Sequence, residues 1–266
     1  MKVRSDRVLG PIFLAVVFDL FDTLVDFRTD LVPVVEINGK PERTTSFNAY
    51  EALREKDYTL PPYPDFHRLW IETSKEVWGE RDRDPEHREV TSRERFRKFV
   101  LRLTDIQPGQ CDAAAEIAME THMERLIGST EFDSARLGML ARIRDAGIKI
   151  GLVSNFDNTS AANRLLTRTG IAPYLEATLI SGEVGYRKPA SRLYLQAAKL
   201  LGVEPGRVLF VGDNFEADVS GPQSVGMPCA WLNPKGAAPP GEAVPPDFEI
   251  KSLSEIHGIL KLDASQ

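Results

Sequence analysis

Three short apolar runs in this chain, 13–18, 148–153 and 208–211, break off at polar residues: Asp19, Ser154-Asn155 and Gly212-Asp213. Each is rich in branched or aromatic side chains and too short for a core helix, so each reads as a buried strand. Helical patterns separate the later ones. They run over 133–146 up to Gly147, over 158–169 up to Gly170, from Pro189 to Leu201 up to Gly202, and over 216–225; glycine past the last turn is a common helix stop. Further strands fall at 177–180, 229–232 and 247–250, a proline-rich loop at 234–246 and a last helix at 252–260. Strands alternating with single helices imply right-handed βαβ units. The expected fold is therefore α/β, a doubly wound, Rossmann-like parallel sheet. Its strands end on one edge, where such sheets bind ligands. Asp19, Ser154 and Asp213 should meet there.

The segment 26–130 does not follow this rhythm. It is charged, with aromatics interspersed, and two sets recur at helical spacing: Leu69, Trp70, Thr73 and Val77, then Phe96, Phe99, Val100 and Leu103. An alanine- and methionine-rich stretch, 110–127, follows Pro108-Gly109. About four helices are expected, with Pro61-Pro62-Tyr63-Pro64 as a loop between two of them and most of the aromatics in the bundle core. The organisation implied is a core made of 1–25 and 131–266, with 26–130 as a helical domain inserted after the first strand.

Composition removes several function classes. The net charge of −6 leaves no basic footprint for nucleic acid. Cys111 and Cys229 are the only cysteines, neither a disulfide framework nor a zinc pattern. Lys2, Arg4 and Arg7 precede an apolar stretch from Val8 to Phe18, which superficially resembles a signal peptide. Asp19 and Asp22 interrupt it, no small-residue cleavage site follows, and it is too short for a membrane span. The expectation is a buried strand in a cytoplasmic protein that uses a small-molecule substrate and no membrane.

Taken singly, the polar groups are ambiguous. Asp19 could be a turn former. Ser154, Asn155, Asp157 and Asn158 could cap the next helix. Lys188 before Pro189 could be solvated surface, and Asp213, Asn214 and Asp218 could be a turn followed by first-turn acids. Together they are specific. Phe18-Asp19-Leu20-Phe21-Asp22-Thr23-Leu24, Val153-Ser154-Asn155, Lys188-Pro189, and Val211-Gly212-Asp213-Asn214 through Asp218 occur in that order. The set resembles the haloacid dehalogenase superfamily of hydrolases over its whole core. Ser154-Asn155-Phe156-Asp157 and Gly212-Asp213-Asn214 look most like its DREG-2-like branch.

That resemblance implies roles. Asp19 would be the nucleophile, forming a covalent intermediate. Ser154, Asn155 and Lys188 would hold the substrate, Lys188 by neutralising its charge. Mg²⁺ would be bound by Asp19, the backbone carbonyl of Phe21 and Asp213, a hard-oxygen set. Thr23, bonding locally in its loop, Asn214 and Asp218 would support these groups, with Asp218 orienting Lys188. The insert at 26–130 would be a cap closing over the site.

Phe21 breaks the pattern. Phosphatases of this superfamily usually carry an aspartate there as general acid and base, worth roughly 10²–10⁴ in rate. Branches without it expel halide or a stabilised carbanion, and Asp22 is one residue out of place. Asp213 points the other way, because a metal-independent dehalogenase would suffer from a superfluous carboxylate beside its nucleophile. The leading expectation is a Mg²⁺-dependent phosphatase of a small phosphorylated metabolite. The alternatives are a metal-independent 2-haloacid dehalogenase and a weakly active protein that binds a phosphorylated ligand.

Overall fold

A computed structural model describes residues 13–262. The expectations for Lys2, Arg4, Arg7 and the start of the stretch from Val8 to Phe18 lie outside them. In chain order the elements are β1 (Ala15–Phe18), β2 (Asp26–Phe27), β3 (Val34–Ile37), β4 (Lys40–Arg43), α1 (Ser46–Arg54), α2 (Tyr63–Asp82), α3 (Ser92–Val100), α4 (Cys111–Gly128) and β5 (Thr130–Glu131). There follow α5 (Ala135–Asp145), β6 (Lys149–Ser154), α6 (Thr159–Thr169), β7 (Ala177–Ile180), α7 (Ser181–Val184), α8 (Ser191–Leu201), β8 (Val208–Gly212), α9 (Gly221–Gln223), β9 (Cys229–Leu232), β10 (Phe248–Ile250) and α10 (Ile256–Ile259).

Six strands form one sheet in the order β10-β9-β8-β1-β6-β7, and all its pairings are parallel. Strand alternation gives each face its own core. Val16, Phe18, Ile150, Leu152, Leu209 and Val211 point to the side that buries Leu140, Ile143 and Leu165. Ala15, Val17, Val153, Val208 and Phe210 point to the side that buries Leu193, Tyr194, Ala197 and Leu201 of α8. Burial on both sides is why these strands read as unbroken apolar runs. The chain moves from β1 through β6 to β7, then returns to the other flank of β1 as β8. That reversal opens a crevice at the carboxyl edge beside β1. Phe18 is level with Leu152 on one side and Val211 on the other, so Asp19, Ser154 and Asp213 emerge on the same edge.

The segment between β2 and β5 contains the four expected helices. α4 packs on α1 and α3, and α2 packs on α1 and α3. Phe66 meets Phe99, and Trp70 meets Phe96 and Phe99, edge to face, with ring centroids 5.0 Å apart for Phe66–Phe99 and Trp70–Phe96. The proline cluster lies at a helix start rather than wholly in a loop: α2 begins at Tyr63, after Pro62, with Pro64 in its first turn, where a missing N–H costs nothing. The segment also holds an unanticipated hairpin, β3 with β4. Its turn is Asn38-Gly39, both left-handed (φ 51° and 77°), the backbone that a two-residue hairpin loop requires.

Two helices expected in the sheet half are shorter. In place of 216–225 there is a wide π-type turn, Phe215–Ser220, and then α9. Pro222 cannot donate to the turn before it, and the Ala217 carbonyl is taken by the Tyr194 hydroxyl at 2.5 Å. At the C-terminal side, Leu253–Glu255 is a 3-10 turn, capped reciprocally by Ser252 and Glu255, ahead of α10.

Candidate active site

The site grows from strand ends. Asp19 follows β1 directly and is nine-tenths buried. Its backbone N–H donates to the Val211 carbonyl at 2.9 Å, tying the loop after β1 to β8. Lys188 arrives from the loop before α8 with its side chain buried and its Nζ 5.3 Å from the centroid of the Phe210 ring. Its Nζ donates to Asp19 Oδ1 and to Asp218 Oδ1, each at 2.7 Å. Asp218 Oδ2 accepts from the Asn214 N–H at 2.9 Å. Asp218 thus fixes both the ammonium and the loop after β8. A side chain at Gly212 would put its Cβ 2.3 Å from Asp218 Cγ, so this position must be glycine for the carboxylate to reach Lys188.

Carboxylate oxygens of Asp19, Asp213 and Asp218 lie within 4.8 Å of one another. Among the described residues, Lys188 is the cation paired with Asp19 and Asp218, and two of the acids respond. Burial pushes Asp19 up to about 7, assisted by Asp218 and opposed by Lys188. Burial also pushes Asp213 up to about 6, with Asp218 and Asp22 adding to the rise. For Lys188, burial alone would favour the neutral amine, but Asp19 and Asp218 outweigh it and hold the group above its ordinary value, as an ammonium. Asp213 is held from two sides. The Thr23 hydroxyl donates to its Oδ1 at 3.4 Å and the Trp231 indole N–H to its carbonyl at 2.8 Å.

Several expected residues stand in different relations from those the sequence implied. Thr23 reaches across to Asp213 rather than bonding within its own loop. Asn155 lines the cavity but commits its carboxamide to Lys188. It accepts from the Lys188 N–H at 2.7 Å and donates to the Lys188 carbonyl at 2.9 Å, which makes it a clamp on the lysine's backbone. Asn214 caps the turn after β8 by accepting from the Ala217 N–H at 3.0 Å. Asn158 caps α6 by accepting from Ala161 at 2.8 Å. Ser154 Oγ is buried with no hydrogen-bond partner among the described residues, a donor left for a bound group. Phe21 lines the cavity, its ring 4.9 Å from that of Phe156. Asp22 is not in that cavity. It sits in a left-handed turn (φ 56°) and accepts from the Phe27 N–H at 2.9 Å. The cavity has a volume of about 230 Å³, room for a small anion and a compact attached group.

The family model for haloacid dehalogenase-like hydrolases matches residues 13–226. The chain belongs to that family. Among curated proteins, pyrimidine 5'-nucleotidase YjjG of Escherichia coli is 28% identical over 82% of this chain and 94% of its own length. The 5-amino-6-(5-phospho-D-ribitylamino)uracil phosphatase YigB of the same organism is 30% identical over 88% of each. A crystal structure of 2-haloacid dehalogenase from Pseudomonas syringae superposes with a TM-score of 0.70 at 23% identity, over 94% of this chain and 98% of that one; this likeness speaks for the fold.

Four residues of this hydrolase's site escaped the sequence reading: Arg187, Tyr194, Glu216 and Trp231. Arg187 and Glu216 line the cavity. Their motif neighbours, Lys188 and Asp218, were the available signal. Tyr194 and Trp231 act through long-range contacts that carry no local pattern.

Proposed function

We propose that this hydrolase is a Mg²⁺-dependent phosphatase of a small phosphorylated metabolite, working through a phosphorylated Asp19. The observation that carries this reading is the charge balance of the site: three converging carboxylates face one ammonium. Such a cluster needs a further positive charge to keep Asp19 ionised at neutral pH. The donors fit Mg²⁺, which takes hard oxygens and keeps several waters. Asp19, Asp213 and the Phe21 carbonyl would hold it, and it would supply charge for the phosphoryl oxygens. A metal-free dehalogenase would gain nothing from Asp213. Two relatives aligned over most of their length bear names of phosphate-ester hydrolases.

The chain's own groups account for the rest. The Asp19 carboxylate attacks phosphorus in line, and the alkoxide or phenoxide leaves. Lys188, held by Asp218 and clamped by Asn155, neutralises charge at the nucleophile and the transferring group. Ser154 Oγ donates its unused hydrogen bond to that group. Water then attacks the phosphorus, the bond from phosphorus to the Asp19 oxygen breaks, inorganic phosphate leaves, and the water's proton passes to the departed alkoxide or to solvent. Phe21 can move no proton, and Asp22 is bonded to Phe27 outside the cavity. The enzyme should therefore be slow on esters with poor leaving groups and better on activated ones. The segment 26–130 would serve as a cap over a core of 1–25 and 131–266, excluding water, in a cytoplasmic protein.

Phosphate release from an aryl phosphate tests this reading. It should require Mg²⁺ and vanish in Asp19→Asn. Halide release from a 2-haloacid that persists in EDTA would overturn it in favour of the dehalogenase. Tight binding of phosphorylated metabolites without any turnover would overturn it in favour of a binding protein.

A further inference from the structure

The residue before Lys188 has no part in the chemistry above, yet it lines the same cavity. Arg187 is the one cation lining it, among the described residues, that is not spent on the buried carboxylates. The two neighbouring side chains diverge. Lys188 Nζ goes inward to Asp19, while the Arg187 guanidinium goes toward the carboxyl end of α2. There its Nη2 donates to Asp82 Oδ1 at 3.1 Å and to the Arg81 carbonyl at 3.3 Å. Its backbone N–H donates to the His87 carbonyl at 2.8 Å. The guanidinium is therefore held from α2 and the segment after it while its chain is anchored beside the nucleophile's partner.

Its bonding is incomplete. Nε is buried and has no partner among the described residues. Asp82, its only ionic partner there, has a side chain 58% exposed, against 16% for Arg187. A mostly buried guanidinium with a buried free N–H and one solvated counter-charge is under-satisfied. Planar, multi-donor guanidinium groups suit bidentate recognition of carboxylate or phosphate.

We propose that Arg187 is a specificity-determining residue that binds a second anionic group of the substrate, on the part remote from the phosphorus. The substrate class is then an organic phosphate that also carries a carboxylate or a second acidic group a few bonds away. Asp82 is a positioning residue for that arginine. The proposal rests on the phosphatase reading for the place of the phosphoryl group, at Asp19, Ser154 and Lys188.

The test uses two inert ligands of matched size, 3-phosphonopropionate and propylphosphonate, titrated into the Mg²⁺-loaded protein by calorimetry. A charge-assisted contact of this kind is worth ~10- to 100-fold in affinity. The wild type should bind 3-phosphonopropionate tighter by that factor. Arg187→Gln should remove the preference and leave propylphosphonate affinity within about threefold, whereas Arg187→Lys should keep part of the preference. Equal binding of the two ligands by the wild type would overturn the proposal. So would an equal loss for both ligands in Arg187→Gln, since a structural tie between α2 and the site predicts that pattern. If Arg187→Gln fails to fold, Arg187→Lys decides, and a preference unchanged from wild type with the shorter, forkless cation counts against the proposal. Turnover of p-nitrophenyl phosphate by the wild type, which needs no second anion, reports separately on the phosphatase reading.

Discussion

Without metal, one buried carboxyl should take stability from this protein as pH rises through the range in which most proteins are at their best. The cause is Asp19, whose carboxyl goes from 3.8 to about 7 in the folded chain because it is buried beside Asp218. A carboxyl raised in the folded state binds protons more tightly there than in the unfolded chain, so unfolding releases protons within this window. Its favourable contribution is complete below about pH 4 and is lost as pH climbs toward 7. At ~1.4 kcal/mol for each tenfold change in proton affinity, the loss is of order 3–5 kcal/mol, a large part of a typical domain's stability. Exposed carboxylates such as Asp30 and Glu80 are lowered by their basic neighbours and work in the opposite direction, so the raw profile is a mixture. Asp19→Asn isolates the term, because the amide has the shape of the protonated acid and does not titrate. Urea unfolding in EDTA from about pH 4 to pH 8 should give near-equal stabilities for the two proteins at the acid end. At the basic end the variant should be the more stable. Excess Mg²⁺ should close the gap at pH 8 by stabilising the wild type, and should do little at pH 4.5, where the proton already occupies Asp19. Parallel profiles for the two proteins across the whole range would refute the reasoning, whatever the enzyme's activity.

Other expectations follow from single contacts. Phe21→Asp should raise kcat on an alkyl phosphate by ~10-fold or more, with little change on p-nitrophenyl phosphate, because only the poor leaving group needs a proton donor; equal rates on the alkyl ester in a folded variant would dismiss the missing-acid argument. Gly212→Ala places a methyl group where Asp218 sits, so the carboxylate must move off Lys188. Thermal unfolding should show a cost of ~1–3 kcal/mol, and turnover should fall further than stability. Asn155→Ala removes both hydrogen bonds to the Lys188 backbone, and kcat/KM should drop ~10-fold at nearly unchanged affinity for Mg²⁺, measured by titrating the metal.

Legibility from sequence divides along a physical line. The sheet was readable because burial on both faces forces continuous apolar runs, and because Asp19, Ser154 and Asp213 each terminate one. The bundle helices were readable from spacing, since Trp70, Phe96 and Phe99 had to face one another. The hairpin at 34–43 had a clear signal in Asn38-Gly39, which was obscured by the helical character of its surroundings. The turn after β8 was misread as a helix because its geometry depends on Tyr194, 23 residues earlier in the chain. The same limit applied within the site. Motif spacing brought Lys188 and Asp218 together, but only the folded structure reveals that Thr23 is spent on Asp213 and Asn155 on Lys188.

Phe21 gains its meaning from these contacts. Had Asp22 turned into the cavity, the chain would have kept a proton donor displaced by one residue. Instead Asp22 holds Phe27 at the start of the helical segment, and Phe21 lies against Phe156 on the cavity wall. Phe21, backed by Phe156, presents an apolar surface to the cavity where the proposed reaction would use a proton relay. That surface cannot help an alkoxide leave, but it is a good neighbour for a flat or apolar leaving group, which needs little help. If Arg187, on the α2 side, binds a second anion, it sets the other requirement. A substrate that satisfies both has a leaving group of low proton affinity and an acidic substituent within reach of the guanidinium. A poor rate on simple alkyl phosphates would then reflect selection for that class, with Asp19, Lys188 and Asp213 all still converging on the cavity edge.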